Sequence, residues 1–76
     1  MSQTTDEFLV HLGKAVRYYR ECRGFTQEKL AELAGIDRTY VGPIELGKQN
    51  SSVAVIFNIA KALDVSMTRL MRYAEN

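Results

Sequence analysis

The sequence predicts an all-α protein of five short helices forming one domain over residues 1–76, and three observations carry that prediction. Apolar residues recur at spacings of three and four in several segments, the interval that lays a stripe along one side of a 3.6-residue helix. Thr26, Asp37, Ser52 and Ser66 stand where helices should start, while Gly24, Gly35 and Gly47 stand where the first three should stop. A chain of 76 residues buries only about 60% of its unfolded surface, so its own core is marginal and a second copy would relieve the shortage.

The first helix is expected from about residue 6 to 22, with Leu9, Leu12, Val16 and Tyr19 in its apolar stripe. Arg17, Arg20 and an edge of Tyr18 then face elsewhere, and Gly24 ends the helix. Thr26 caps a second helix, and Glu28 in its first turn meets exposed backbone N–H groups. Leu30, Ala31 and Ala34 supply the buried face, Gly35 stops it, and Ile36 plugs the corner. Asp37 caps the third helix, Val41 and Ile44 form its apolar side, and Gly47 terminates it. So short a turn leaves two helices packed at a steep angle.

Ser52 caps a fourth helix that runs to Leu63, and only Asn58 and Lys61 among its residues are polar. The β-branched run from Val53 to Phe57 also suits a strand, but no partner strand is evident and the following residues continue at helical spacing. A helix apolar nearly all round needs burial on more than one side. Ser66 caps a fifth helix bearing Met67, Leu70, Met71 and Tyr73. The expected second side is another copy of the chain, in a symmetric homodimer built from Val55, Phe57, Met67 and Met71. The alternative is a monomer that satisfies Val55 and Phe57 internally.

Composition excludes more than it selects. The formal charge is +1, but the stretch from His11 to Lys29 holds five cations, Lys14, Arg17, Arg20, Arg23 and Lys29, against Glu21 and Glu28. A basic face of this kind suits a polyanionic partner. Cys22 is the sole cysteine, so neither an intrachain disulfide nor a four-ligand zinc site is expected, and a reducing, cytoplasmic setting fits. No apolar run reaches the roughly 20 residues of a membrane span, and no secretory leader is evident. His11, the sole histidine, reads as a surface residue of the first helix, and no Ser or Cys is paired with a base. Glu28 and Glu32 share a helix face as amphipathic helices commonly arrange. No phosphate-binding glycine loop is present, and no enzymatic activity, metal or cofactor is expected.

Nucleic-acid binding has a coherent constellation instead. The start of the second helix offers Thr26 and Gln27 beside exposed N–H groups that fit a phosphate, and Arg17, Arg23, Lys29 and Lys48 add charge around it. The third helix can enter the major groove by its N-terminal end, bringing Arg38, Thr39 and Tyr40 to base edges or phosphates. Arg38 has the chemistry of a bidentate guanine reader.

Residues 12 to 71 resemble the five-helix domains of Cro/C1-type, or xenobiotic-response-element-type, helix-turn-helix regulators, the lambda repressor-like DNA-binding fold. The resemblance rests on L-G-K-A-V-R-Y-Y-R, T-Q-E-K-L-A-E-L-A-G-I-D-R-T-Y-V, I-E-L-G-K-Q-N-S-S and I-A-K-A-L-D-V-S-M-T-R-L-M in that order. Within that family the chain is most similar to controller proteins of restriction-modification systems, which are dimeric transcriptional regulators. The resemblance implies that Gln27 contacts phosphate, that Arg38 and Thr39 lead the base-facing positions, and that Glu45 is a scaffold residue beside the helix end. It also implies a dimer through the fourth and fifth helices. The implied partners are double-stranded DNA with an inverted-repeat operator, a second copy of the chain, and RNA polymerase; no membrane is implied.

Gly42 and Pro43 depart from the family pattern. Counted from Asp37, Pro43 is the sixth helical residue, where it should forfeit a bond to the Thr39 carbonyl at a cost of about 3 kcal/mol, and Gly42 adds about 1 kcal/mol relative to alanine. Three outcomes follow: a kinked helix that still reads DNA through Arg38 and Thr39, a lesion that leaves a folded dimer with weak discrimination, or a changed operator preference. The second outcome would make the chain an antitoxin-like or other protein-interaction dimer.

Overall fold

The computed structural model describes residues 4–75 and arranges them as α1 (Thr5–Cys22), α2 (Gln27–Ala34), a 3-10 turn (Arg38–Tyr40), α3 (Val41–Glu45), α4 (Val53–Leu63) and α5 (Met67–Glu75). No strand occurs among the described residues, so the run from Val53 to Phe57 is helical as expected. Helix starts follow local chemistry. The hydroxyls of Thr26, Ser52 and Ser66 accept from the backbone N–H groups of Lys29, Val55 and Arg69. Thr4 closes a full capping box with Glu7, which sequence reasoning passed over. The Glu7 carboxyl is consequently held below its ordinary value, chiefly by the Thr4 backbone N–H. Gly35 ends α2 in the left-handed conformation, whereas Asp64, not a glycine, takes that place after α4.

The core forms where the helices cross. α1 packs along α5 and against α3, and α2 packs on α4. Val16, Leu30, Val41, Ile59, Leu63 and Leu70 are the largest fully buried side chains, so every helix contributes at least one. Tyr18 and Tyr73 stack at 5.4 Å between α1 and α5, with Tyr19 edge-on to both. His11, expected at the surface, is half-buried on α1.

Close backbone contact sets the position of α3. A Cβ placed on Gly13 would lie 2.4 Å from the carbonyl oxygens of both Ile44 and Glu45, so α1 touches the end of α3 without an intervening side chain. Gly47, at φ 74°, is also close to the main chain of Val10, whose Cα would lie 2.7 Å from a Cβ placed there. A mid-helix glycine costs about 1 kcal/mol in propensity, and the approach of α3 explains its presence.

The expected single third helix is corrected. Residues 38–40 wind as a 3-10 turn in which the Tyr40 N–H donates to the Asp37 carbonyl, and the α-helix restarts at Val41. Pro43 is thus the third residue of the α-helical part and the sixth of a helical path that runs on from Arg38, since Tyr40 and Val41 both have right-handed helical backbone. The turn ahead of it is already wound with an i to i−3 bond, so the bond that Pro43 forfeits costs less than the roughly 3 kcal/mol assigned to an α-helix interior. Gly42 has a helical backbone, and a Cβ there would make ordinary contact with the Gln27 amide at 3.6 Å. Pro43→Ala is expected to change stability by no more than about 1 kcal/mol in denaturant unfolding, because lost unfolded-state rigidity opposes gained helix propensity. A gain near 3 kcal/mol would restore the interior-proline reading.

Candidate nucleic-acid interface

The geometry of the interface begins with a buried carboxylate. Glu45, whose side chain is 4% exposed, accepts from Arg20 Nε at 2.6 Å and Nη2 at 3.1 Å, and from Gln27 Nε2 at 3.0 Å. Arg20 Nη1 also donates to the Phe25 carbonyl at 2.8 Å. The fork holds the Arg20 guanidinium's pKa above its ordinary value, primarily through hydrogen bonding to Glu45. Three elements are joined in this way: the end of α1, the start of α2 and the end of α3. Sequence reasoning assigned Glu45 to the scaffold by resemblance but placed Arg20 on the basic surface. The two residues are 25 positions apart, and nothing local pairs them.

The 3-10 turn lies at the leading end of this locked unit. Asp37 Oδ1 accepts from the Thr39 backbone N–H at 2.8 Å and the Thr39 hydroxyl at 2.7 Å. These bonds hold the Asp37 carboxyl below its ordinary value, the hydroxyl contributing most. A lowered folded-state value means that this support is present through the neutral range and is lost as pH falls through that value. Arg38, Thr39 and Tyr40 are all exposed. Across an open groove Arg38 Nη1 pairs with Glu28 Oε2 of α2, and Thr26, Lys29, Glu32 and Asp37 also line that groove.

The expected phosphate contacts divide. Thr26, Gln27 and Lys29 lie together at the start of α2, exposed, with Gln27 oriented by Glu45 and Lys29 paired with Glu32 at 3.2 Å. Lys48 is exposed just past α3. Arg17 is exposed on α1 and paired with Glu21 at 3.2 Å. Arg23 instead caps α4: its Nε donates to the Leu63 carbonyl at 2.9 Å and Nη2 to Asp64 Oδ2 at 3.0 Å. The basic stretch is therefore less basic at the surface than its composition suggests, since Arg20 and Arg23 are engaged within the fold.

The expected dimer residues are unevenly covered. Phe57 is 48% exposed with Lys61 Nζ 5.5 Å from its ring centre, and Val53, one turn earlier on α4, is 75% exposed. Val55 is partly buried, and Met67 and Met71 share a shallow depression on α5 with Thr68, Arg72 and Glu75. Val53 was not among the expected interface residues, although it lies four positions before Phe57 on the same helix. Among the described residues no cluster of His, Cys, Asp and Glu could hold a metal ion. None of their helices is long and apolar enough to cross a membrane.

A capped helix, a glycine turn and a second helix locked to it by a buried carboxylate, all carried on a five-helix core, define a helix-turn-helix domain. The chain belongs to the Helix-turn-helix family, whose model matches residues 16–70. It is similar to the control protein C.SmaI of Serratia marcescens, 38% identical over 60 residues that cover 79% of this chain and 71% of that one. The crystal structure of the restriction-modification controller protein C.AhdI from Aeromonas hydrophila matches with a TM-score of 0.79 at 44% identity, covering 82% of this chain and 94% of the other. A competence pilus inhibition repressor of Acinetobacter baylyi is 34% identical over 65 residues, 86% of this chain and 59% of the repressor. The relatives are transcriptional regulators and controller proteins, so the expected fold and family both hold.

Proposed function

We propose that the chain is a dimeric, sequence-specific, DNA-binding transcriptional regulator of the restriction-modification controller kind, with residues 1–76 acting as one DNA-binding and dimerisation domain. The observation that carries this reading is the exposure of Arg38, Thr39 and Tyr40 at the leading end of a unit locked by Arg20, Glu45 and Gln27. In this reading the 3-10 turn enters the major groove, and Arg38 and Thr39 address base edges with Tyr40 beside them. Thr26, Gln27, Lys29 and Lys48 face the phosphates that fix the register. Arg17 would reach a phosphate by leaving Glu21. Arg23 is the weakest candidate, because a phosphate contact would uncap α4.

The exposed side of α4, with Val53 and Phe57, and the Met67 and Met71 depression on α5 support pairing with a second copy. Two-fold pairing suits an inverted repeat. The protein would act in the cytoplasm, by binding rather than by bond chemistry and without a cofactor, and would influence RNA polymerase from an operator beside a promoter. The competing reading, an antitoxin-like or other protein-interaction dimer with weakened DNA reading, rests on Gly42 and Pro43; both follow the exposed turn whose residues are the proposed readers, which favours the first reading.

Fluorescence-anisotropy titration of an inverted-repeat duplex across a salt series, with sedimentation equilibrium alongside, tests the proposal. Affinity is expected to fall with salt at a log–log slope of about −0.9 per neutralised phosphate, and the chain is expected to sediment as a dimer. A flat salt response would contradict the phosphate clamp, and a monomer at micromolar concentration would contradict the dimer.

A further inference from the structure

We propose that Glu28 is a specificity-determining positioning residue, which holds the Arg38 guanidinium in the orientation that reads a base pair; the inference rests on the DNA-reading role given to Arg38 above. Glu28 lies in the first turn of α2, but the capping of that helix is done by Thr26, which leaves the Glu28 carboxylate available for other contacts. It extends across the open groove to Arg38 Nη1 on the 3-10 turn. Glu32, one turn further along α2, pairs with Lys29 instead, so the two carboxylates have different partners.

Both members of the Glu28–Arg38 pair are largely solvated, with side chains 65% and 70% exposed. A pair so exposed adds little to stability, so its effect falls on where the guanidinium sits. Arginine has five N–H donors in a planar fork. With Nη1 held by Glu28, the Nε and Nη2 edge remains for the bidentate contact that a guanine O6 and N7 accept. The backbone beneath is fixed independently, by Asp37 binding Thr39. Glu28 also sets a negative charge beside a surface proposed to face phosphates, which weakens binding to any duplex alike, so discrimination comes from the positioning of Arg38.

The probe is the duplex that the unmodified chain selects from a randomised inverted-repeat library, together with versions substituted singly at each base pair. Arg38→Ala identifies the pair that Arg38 reads by erasing discrimination there. Glu28→Gln is expected to reduce discrimination at that same pair by roughly fivefold or more, within the range one bidentate contact supplies, and to raise affinity for unrelated DNA. Adding Glu28→Gln to Arg38→Ala should cause no further loss at that pair, since residues acting through one another are not additive. Glu32→Gln, the same charge change one turn away, should raise affinity for unrelated DNA and leave discrimination intact. The midpoint of thermal unfolding is expected to fall by only a few degrees in Glu28→Gln, the share of a first-turn carboxylate at an exposed helix N-terminus.

Undiminished discrimination in Glu28→Gln, or an equal loss in Glu32→Gln, would overturn the positioning role while leaving Arg38 as a reader. If Arg38→Ala erased discrimination at no pair, the reading on which the inference rests would fail with it.

Discussion

Replacing Glu45 with alanine is expected to destabilise the protein by about 3 kcal/mol, the lower end of the range for removing one partner of a buried ion pair. The Arg20 side chain is only 12% exposed and would keep a single bond, to the Phe25 carbonyl, with two of its donors left facing the vacated site. Small domains have total stabilities near the bottom of the range of 5–15 kcal/mol, so the loss would be a large fraction of the whole. At about 4–8 °C per kcal/mol for a domain of this size, the unfolding midpoint should drop by more than about 12 °C. Glu45→Gln keeps the shape and one acceptor and should fall between. Gln27 would lose its anchor as well, so DNA affinity should weaken in the alanine variant even where it remains folded. Thermal and urea unfolding measure the first effect; a change below about 1 kcal/mol would mean that the fork contributes no more than a surface pair.

Gly13→Ala is expected to destabilise by about 2 kcal/mol, despite the roughly 1 kcal/mol that alanine gains over glycine in helix propensity. The added methyl would sit 2.4 Å from two carbonyl oxygens and 2.7 Å from the Glu45 carbonyl carbon. Backbone atoms cannot rotate aside as a flexible side chain can, so α1 and the end of α3 must separate. Overpacking of this kind costs about 1–3 kcal/mol, occasionally more, and here it outweighs the propensity gain. Glu45 moves with that backbone, so the fork to Arg20 should lengthen too, and Gly13→Val should be worse. Denaturant unfolding decides the sign: a variant more stable than the parent would contradict the close approach of α1 to α3.

What could be read from the sequence was what is decided within a few residues. The caps at Thr26, Asp37, Ser52 and Ser66 and the left-handed stops at Gly35 and Gly47 depend on single turns of chain, and they stand where their residue types suggest. The capping box from Thr4 to Glu7 was equally local and was simply passed over. Asp64 shows the limit of the glycine signal, since aspartate takes the left-handed conformation, here at φ 58°, more readily than most residues but far less often than glycine. The cost of Pro43 was not legible because three residues of 3-10 winding are indistinguishable in spacing from the start of an α-helix. The winding decides which bonds the turn before a proline makes, and hence how much the proline costs.

The candidate site was less legible where it depends on contacts distant in sequence. Arg20 and Arg23 counted as surface charge until the fold joined one to Glu45 and the other to the end of α4, some 40 residues away. Gly13 looked like a weak helix residue until α3 was found against it. Arg38, Thr39 and Tyr40 are as exposed as groove-facing residues need to be, yet exposure alone left the partnership of Arg38 with Glu28 unforeseen.

The central claim is that the locked α2–α3 unit reads DNA through the turn that precedes Pro43. It is tested most directly by titrating the chain, at one fixed salt concentration, against its selected inverted-repeat duplex and a scrambled duplex of the same composition. The expected result is tighter binding to the repeat by about 10³-fold or more, with Pro43→Ala giving the same ratio. Equal affinity for the two duplexes would contradict sequence reading by this protein.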